Sequence, residues 1–139
     1  NMRASSVIKI INRFSALHRE EVRKLMEQEG LYFGQHPILW YLYENGATTQ
    51  VDFAHHLNVT TVTINNSVRR LANKGFIEKK SDPDDLRKTQ ICLTQKGEIA
   101  AVNCRKAFSE LDQKLFANVP EKSLEALHSL FSQMIENIT

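Results

Sequence analysis

The sequence predicts a mainly α-helical fold of the α+β class, with six helices and one small β-hairpin. Three observations carry this prediction. Apolar residues recur every three or four positions near both ends of the chain, two short helical segments separated by a tight turn lie in the middle, and one charged stretch alternates with a period of two. A chain of 139 residues is expected to form one domain, with room for helices that extend it for assembly.

The composition excludes several classes of protein. Hydrophobic residues make up 42% of the chain and charged residues 24%, as in ordinary globular proteins and unlike disordered ones. The longest apolar run, 38–43, is far too short to cross a membrane, and no secretory leader is visible. Two cysteines, Cys92 and Cys104, are too few for a disulfide framework and suit a reducing compartment. We therefore expect a cytoplasmic protein.

Long helices are predicted at both ends of the chain. The first covers 5–29 and is followed by Gly30, a residue that commonly ends helices. Another runs from Gln95 to about Asn118, and Pro120 begins the last one. The apolar stripe of the first helix consists of Val7, Ile11, Phe14, His18, Val22 and Leu25. These broad stripes favour an intertwined homodimer, because a monomer would leave them in water. The alternative is that the terminal helices fold back on the central part of their own chain.

The central segment predicts a helix–turn–helix. A short helix is expected over 36–44, with Pro37 in its first turn. Thr49 and Asp52 have the spacing of a capping box, which predicts a helix over 50–57 that ends at Asn58. Thr60 or Thr61 then caps the next helix, which extends to about Lys74 and is ended by Gly75. Two short helices joined by so tight a turn are typical of this motif.

A charged hairpin follows this motif directly. Strands are predicted over 76–80 and 89–93, and the segment 81–85 between them has the Ser, Asp and Pro residues that favour turns. A hairpin placed after a helix–turn–helix is a wing. The complete prediction is therefore a winged helix–turn–helix with long terminal helices that form an obligate homodimer.

The charge distribution indicates a partner that carries phosphates. The window 58–96 holds eight basic and four acidic side chains, a net charge of +4, whereas the rest of the chain holds ten basic and twelve acidic ones, a net charge of −2. Such a basic segment is typical of a phosphate-binding surface. On this evidence alone, a solvated charged face with no ligand is an equal alternative.

The second helix of the motif has an outer face suited to the DNA major groove. At about 100° per residue, Ile64, Val68 and Leu71 form the buried edge. The face away from it is polar and β-branched, and with the capping residues it comprises Thr60, Thr61, Val62, Thr63, Asn65, Asn66, Arg69, Arg70 and Asn73. Asn can bond adenine, Arg can bond guanine or phosphate, and Val or Thr can meet a thymine methyl group. The alternative is an ordinary amphipathic helix.

The hairpin supplies further candidates for DNA contact. Arg87 at its tip can enter the minor groove, and Asp85 is expected to hold the Arg87 guanidinium in orientation by a hydrogen bond. Lys80 and Lys88 flank the hairpin and can meet phosphates. The alternative for this tip is solvation alone.

These residues resemble the multiple antibiotic resistance regulator (MarR) family of winged-helix transcription factors. The resemblance extends from Gly34 to Gly97 and is carried by segments in a fixed order: QVDFAHHL (50–57), VTTVT (59–63), LANKGFI (71–77), DPDDLR (82–87) and LTQKG (93–97). It departs from the family at Leu86, where the wing usually has a basic residue.

The resemblance implies a homodimer that binds a pseudo-palindromic operator in double-stranded DNA, usually as a repressor. It also implies three parts: a dimerisation helix over 1–33, a DNA-binding domain over 34–96 and dimerisation helices over 97–139. A small-molecule or redox effector would act where the dimerisation and DNA-binding parts meet.

An effector site is expected between the first helix, the second helix and the start of the fifth. Its candidate lining residues are Arg13, His18, Tyr32, Phe33, His36 and Trp40. Aromatic walls with a few polar groups suit a planar ligand, such as a phenolic or other aromatic acid. The alternative is that these aromatic residues belong to the core.

Other functions find less support in the sequence. His55 and His56 are adjacent and point about 100° apart on a helix, so no metal or other cofactor is expected. Cys104 lies on an apolar stripe and is expected to be inert, whereas Cys92 is expected to be accessible, which leaves a thiol-based redox regulator as an alternative. No catalytic motif is present, so an enzyme is not expected. A winged-helix module that binds proteins instead of DNA is a further alternative.

Overall fold

A computed structural model describes residues 2–32, 34–85 and 87–139, except for the side chain of Met2. Within these residues the chain forms six α-helices and three strands. In chain order they are α1 (Met2–Gln28), α2 (His36–Asn45), β1 (Thr48–Thr49), α3 (Gln50–Leu57), α4 (Thr61–Asn73), β2 (Ile77–Ser81), β3 (Thr89–Leu93), α5 (Gln95–Leu115) and α6 (Glu121–Ile138). No helix in the described residues is long and apolar enough to span a membrane.

The chain divides into two compact units, one ending at Phe108 and the other running from Ser109 to Thr139. The boundary falls within α5. The first unit therefore contains the whole helix–turn–helix and its hairpin, together with α1 and most of α5. The second contains the end of α5 and all of α6.

Local sequence signals set several helix ends as predicted, although α1 begins at Met2, three residues before the predicted start. Gly30 adopts a φ of +74° after α1, and the Leu31 N–H donates to the carbonyl of Met26 at 2.9 Å, which closes the helix end. Thr49 caps α3 by accepting from the Asp52 N–H at 3.1 Å. Asn58 follows α3 in the left-handed conformation, with a φ of 54°. Because these signals act over a few residues, the sequence alone predicts them well.

The sheet contains one strand that the sequence analysis missed. The predicted strands β2 and β3 pair antiparallel, with Ile77 opposite Leu93 and Ser81 opposite Thr89. The short strand β1 adds to the other edge of β3, so the order is β1-β3-β2. Thr48 pairs with Ile91 there. The wing is therefore anchored to the segment that leads into α3.

The core of the first unit lies beneath the helix–turn–helix. The α4 residues Ile64, Val68 and Leu71 are buried, as predicted from helical geometry. Phe53 from α3 and Ile91 from β3 are also buried in this cluster. The core thereby fixes which face of α4 points outward.

The terminal helices leave most of their apolar residues uncovered. In α1, Met26 is buried, but Val7 and Phe14 of the predicted stripe are exposed. Helix α6 has no buried residue at all. Its exposed apolar side chains are Leu127, Leu130, Phe131, Met134, Ile135 and Ile138. Helix α5 ends at Leu115, three residues before the predicted end, and Asn118 has a φ of 63°.

Candidate nucleic-acid interface

The outer face of α4 is open to solvent along its whole length. All nine residues predicted there are exposed: Thr60, Thr61, Val62, Thr63, Asn65, Asn66, Arg69, Arg70 and Asn73. Val62 shows this most clearly, because it is apolar and still 67% exposed. The predicted division of α4 into a buried edge and a free polar face is confirmed.

The start of α4 presents free backbone N–H groups beside hydroxyl groups. Thr60 is the capping residue, and its side chain accepts from the Thr63 N–H at 3.2 Å. The hydroxyl groups of Thr60 and Thr63 also lie 2.9 Å apart. The first N–H groups of a helix have no partner within the helix and carry a partial positive charge, so this end can receive a phosphate oxygen.

Two candidate base-reading residues are already bonded to each other. The Arg69 Nη2 donates to the Asn66 Oδ1 at 3.2 Å across one turn of α4. This bond directs the Asn66 oxygen towards Arg69 and leaves the amide nitrogen for an outside acceptor. An amide and a guanidinium exposed on one helix face are the groups that recognise base edges in the major groove.

The tip of the wing is held by its own acidic residues. Asp85 Oδ1 accepts from the backbone N–H of Arg87 at 3.1 Å and from its Nε at 3.2 Å. The predicted contact between Asp85 and Arg87 is therefore confirmed. The Arg87 side chain is 92% exposed, so its guanidinium is oriented and still free to bind. Leu86, where the sequence departs from the family pattern, lies outside the described residues.

The two lysines of the hairpin differ in their surroundings. Lys80 lies 3.3 Å from Glu78 Oε1, and hydrogen bonding to this carboxylate raises the pKa of Lys80. Lys88 is exposed, and its backbone closes the turn by hydrogen bonds with Asp82 and Asp85. Lys80 must give up its ion pair with Glu78 to bind a phosphate. The sequence pattern alone predicted the same phosphate contact for Lys80 and Lys88.

The structure brings only part of the predicted effector site together. The rings of His36 and Trp40 lie 6.4 Å apart in α2. The ring of Tyr32 instead lies under the Lys74 ammonium, 4.1 Å from ring centroid to nitrogen. His18 stacks on Phe14 of its own helix at 5.6 Å. Arg13 is exposed on α1, and the prediction for Phe33 falls outside the described residues.

Sequence reasoning missed two members of the His36 cluster. Phe108 lies edge-on to His36 at 4.5 Å, and the Arg105 guanidinium lies 4.6 Å from the centre of the Trp40 ring. Burial, and secondarily the positive charge of Arg105, lowers the pKa of His36. His36 Nε2 is buried and has no hydrogen-bond partner among the described residues. Both residues lie in α5, far from His36 and Trp40 in the sequence. The only signal for them in the sequence is the amphipathic pattern of that helix.

Neither cysteine has the properties of a thiol sensor. Cys104 is buried, and burial raises its pKa to about 11, with a further contribution from the negative charge of Glu29. Cys92, which the alternation predicted to be accessible, is half-buried, and burial raises its pKa as well. Its Sγ lies 3.8 Å from Glu78 Oε1, which disfavours a thiolate. Within the described residues, no group of three His, Cys, Asp or Glu side chains is placed to hold a metal ion.

Comparison with known proteins agrees with this geometry. The model of the MarR family matches residues 31–89, which contain α2, the helix–turn–helix and the start of β3. The chain is 25% identical over 126 residues to the HTH-type transcriptional regulator YwoH of Bacillus subtilis, covering 91% of each protein. The winged helix–turn–helix of this chain resembles that of the MarR family. Its relatives are named as HTH-type transcriptional regulators.

Two further similarities extend over most of this chain. It is 23% identical over 121 residues to the HTH-type transcriptional repressor IacR of Pseudomonas putida, covering 87% of this chain and 72% of that protein. It is 26% identical to the chain in the crystal structure of the S. aureus MepR-DNA complex, with a TM-score of 0.74 and 94% of each chain covered. The likeness therefore includes the long helices that flank the winged helix.

Proposed function

We propose that this protein is a homodimeric repressor that binds a pseudo-palindromic operator in double-stranded DNA in the cytoplasm. The observation that carries this proposal is the free polar face of α4, whose orientation is set by the burial of Ile64, Val68 and Leu71. MepR in complex with DNA and the repressor IacR are similar to this chain over most of its length.

The roles of the individual residues follow from where they lie. Asn66 and Arg69 face outward from the middle of α4, and we assign them to base edges in the major groove. We assign the amino end of α4, from Thr60 to Thr63, to a backbone phosphate. Arg87, oriented by Asp85, enters the minor groove. The same division assigns residues 34–96 to DNA binding and the segments on either side to dimerisation.

Dimerisation is supported by the uncovered apolar surface of α1 and α6. Apolar surface of this kind costs about 25 cal/mol for each Å² left in water, and a second copy removes it. A two-fold dimer also places two α4 helices to read two halves of one site, spaced by about 10 base pairs for successive turns of the duplex. The symmetry of the protein would then match that of the operator.

The proposal is tested by selection from a pool of random duplex DNA. The enriched duplex and a scrambled duplex of the same composition are then titrated with the protein at several salt concentrations. We expect the enriched duplex to bind more tightly by about 10³-fold or more, and its affinity to fall steeply as salt rises. No enrichment, or equal affinity for both duplexes, would overturn the proposal.

We propose that a planar, acidic aromatic ligand acts at the cluster of His36, Trp40, Arg105 and Phe108. The cluster combines aromatic walls, a guanidinium for a carboxylate and a buried imidazole nitrogen without a partner. Trp40 is the only tryptophan in the chain, so its fluorescence reports binding directly. We expect benzoate-type acids to quench this emission and release DNA, and Arg105→Met to weaken both effects. Release without any change at Trp40 would place the effector elsewhere.

A further inference from the structure

The carboxyl end of α4 is tied to α1 by a side chain that the proposed DNA contacts do not use. Lys74 Nζ donates to the carbonyl oxygen of Gly30 at 3.1 Å, where α1 ends. The same ammonium lies 4.1 Å from the centre of the Tyr32 ring, a cation–π contact. Lys74 thus connects α4, the recognition helix of the helix–turn–helix, to the end of α1, 44 residues earlier in the chain.

The same end of α4 is also tied to the start of α5. Lys96 Nζ donates to the carbonyl oxygen of Lys74 at 2.7 Å, and the Thr94 hydroxyl donates to the carbonyl oxygen of Gly75. The last carbonyl groups of a helix have no partner within it and carry a partial negative charge. A lysine from α5 therefore satisfies the end of α4 at a place where a cation is favoured.

At Gly97, α5 packs tightly against the segment that follows α4. A Cβ atom on Gly97 would overlap the carbonyl oxygen of Phe76. Lys96 Nζ also lies 4.5 Å from the centre of the Phe76 ring. Backbone therefore meets backbone between the first turn of α5 and the segment that follows α4.

We propose that these contacts form a joint that positions the recognition helix relative to the end of α1 and the start of α5. We call it the α4 joint, and it consists of Gly30, Tyr32, Lys74, Gly75, Thr94 and Lys96. Lys74 is its central positioning residue, since its side chain bonds the end of α1 while its carbonyl group is bonded from α5. This inference rests on the proposed function, because it concerns how accurately α4 meets a specific DNA site.

The joint lies next to residues on the free face of α4. Arg70 and Asn73 line one open hollow together with Tyr32 and Lys74. A change in how Lys74 is held therefore alters the surroundings of two candidate DNA contacts.

The test separates positioning from direct phosphate contact. Lys74→Met and Lys96→Met remove the ammonium groups of the joint, and Lys106→Met removes an exposed lysine of α5 as a charge-matched control. Affinity is measured for an enriched duplex and a scrambled duplex across a salt series, with the melting temperature of each variant. Lys74→Arg keeps a cation that can lie on the Tyr32 ring.

We expect Lys74→Met and Lys96→Met to weaken binding to the enriched duplex by about tenfold, with little change for the scrambled duplex. The slope of log affinity against log salt stays that of the parent, because no phosphate contact is lost. Lys74→Arg retains most of the affinity, and Lys106→Met matches the parent protein.

Three results would contradict the positioning role proposed for the α4 joint. An equal loss on both duplexes with a slope smaller by about one would make Lys74 a phosphate contact. An equal loss on both duplexes with a lower melting temperature would make its role purely structural, and unchanged affinities would leave it without a role. If the parent protein itself does not distinguish the two duplexes, the proposed function is wrong, and the role proposed for the α4 joint is wrong with it.

Discussion

Arg87 donates two hydrogen bonds to a single carboxylate oxygen of Asp85, one from its backbone N–H at 3.1 Å and one from its Nε at 3.2 Å. The pair closes the tip of the wing and directs the guanidinium outward. Because the arginine is 92% exposed, this pair adds little to the stability of the fold. Under the proposed function, the pair holds a cation in an orientation that suits insertion into the minor groove.

Removing either partner should weaken binding at the wing. Arg87→Ala should lower the affinity for an enriched duplex with A·T-rich flanks, because it removes the inserted guanidinium. Asp85→Ala should lower it less, and the double variant should bind like Arg87→Ala. Asp84→Ala removes the same charge nearby and serves as the control. Asp85→Ala binding as tightly as Asp84→Ala would contradict an orienting role.

Replacing Asn66 should relax sequence preference at one position. The Asn66 amide is held by Arg69 and has its nitrogen free for a base acceptor. We expect Asn66→Ala to lose about 1–3 kcal/mol of discrimination at a single base pair. The measurement is a set of duplexes that each differ by one base pair from the enriched sequence. An equal loss on all of them would remove Asn66 from the base-reading residues.

A charge on the apolar face of α6 should dissociate the dimer. Ile135 is 58% exposed within its own chain, and α6 has no buried residue. Ile135→Asp should weaken self-association by about 100-fold or more, measured by sedimentation equilibrium. Ser129→Asp places the same charge on the opposite face of α6 and should leave association unchanged. A parent protein that sediments as one chain at micromolar concentration would exclude the homodimer.

Stability should fall when the protein is acidified, in part because of His36. Burial and the nearby Arg105 charge lower its pKa, so the folded protein binds this proton less readily than the unfolded chain. The contribution of His36 to stability is therefore present above the ordinary histidine pKa and is lost as pH falls through the lowered value. Urea unfolding at pH 7 and pH 5 should show a smaller difference for His36→Gln than for the parent. An equal difference would show that His36 does not contribute.

The thiols should be unreactive in the native protein. Burial raises the pKa of Cys104 to about 11, above that of an ordinary thiol. The neutral thiol is therefore favoured in the folded state, and its contribution to stability is lost as pH rises from about 9 through 11. A thiol reagent at pH 7.5 should label Cys104 only after unfolding, and peroxide should not release DNA. Release by peroxide that disappears in Cys92→Ser would instead support a redox switch.

The helices of this protein are predictable because their ends depend on nearby residues. Thr49 and Thr60 cap helices through N–H groups three residues later, and Gly30 ends α1 by its own conformation. Strand β1 has only two residues and no alternation, so its existence depends on pairing with β3. A single sequence carries no signal for such a short strand.

The candidate site also has a part that the local sequence predicts and a part that it does not. The free face of α4 follows from helical geometry and the position of Ile64, and the link between Asp85 and Arg87 spans only two residues. Arg105 on Trp40 and Lys74 on Gly30 depend on how distant segments pack together. Nothing in the local sequence distinguishes these two residues from other surface cations.

The most direct test of the central claim is the mass of the complex with DNA. Sedimentation of the protein with an enriched duplex, at low and at high salt, measures how many chains each duplex holds. We expect two chains on one duplex at low salt and dissociation as salt rises. A single chain on each duplex, or no complex at any salt concentration, would contradict a dimer that reads two halves of one site.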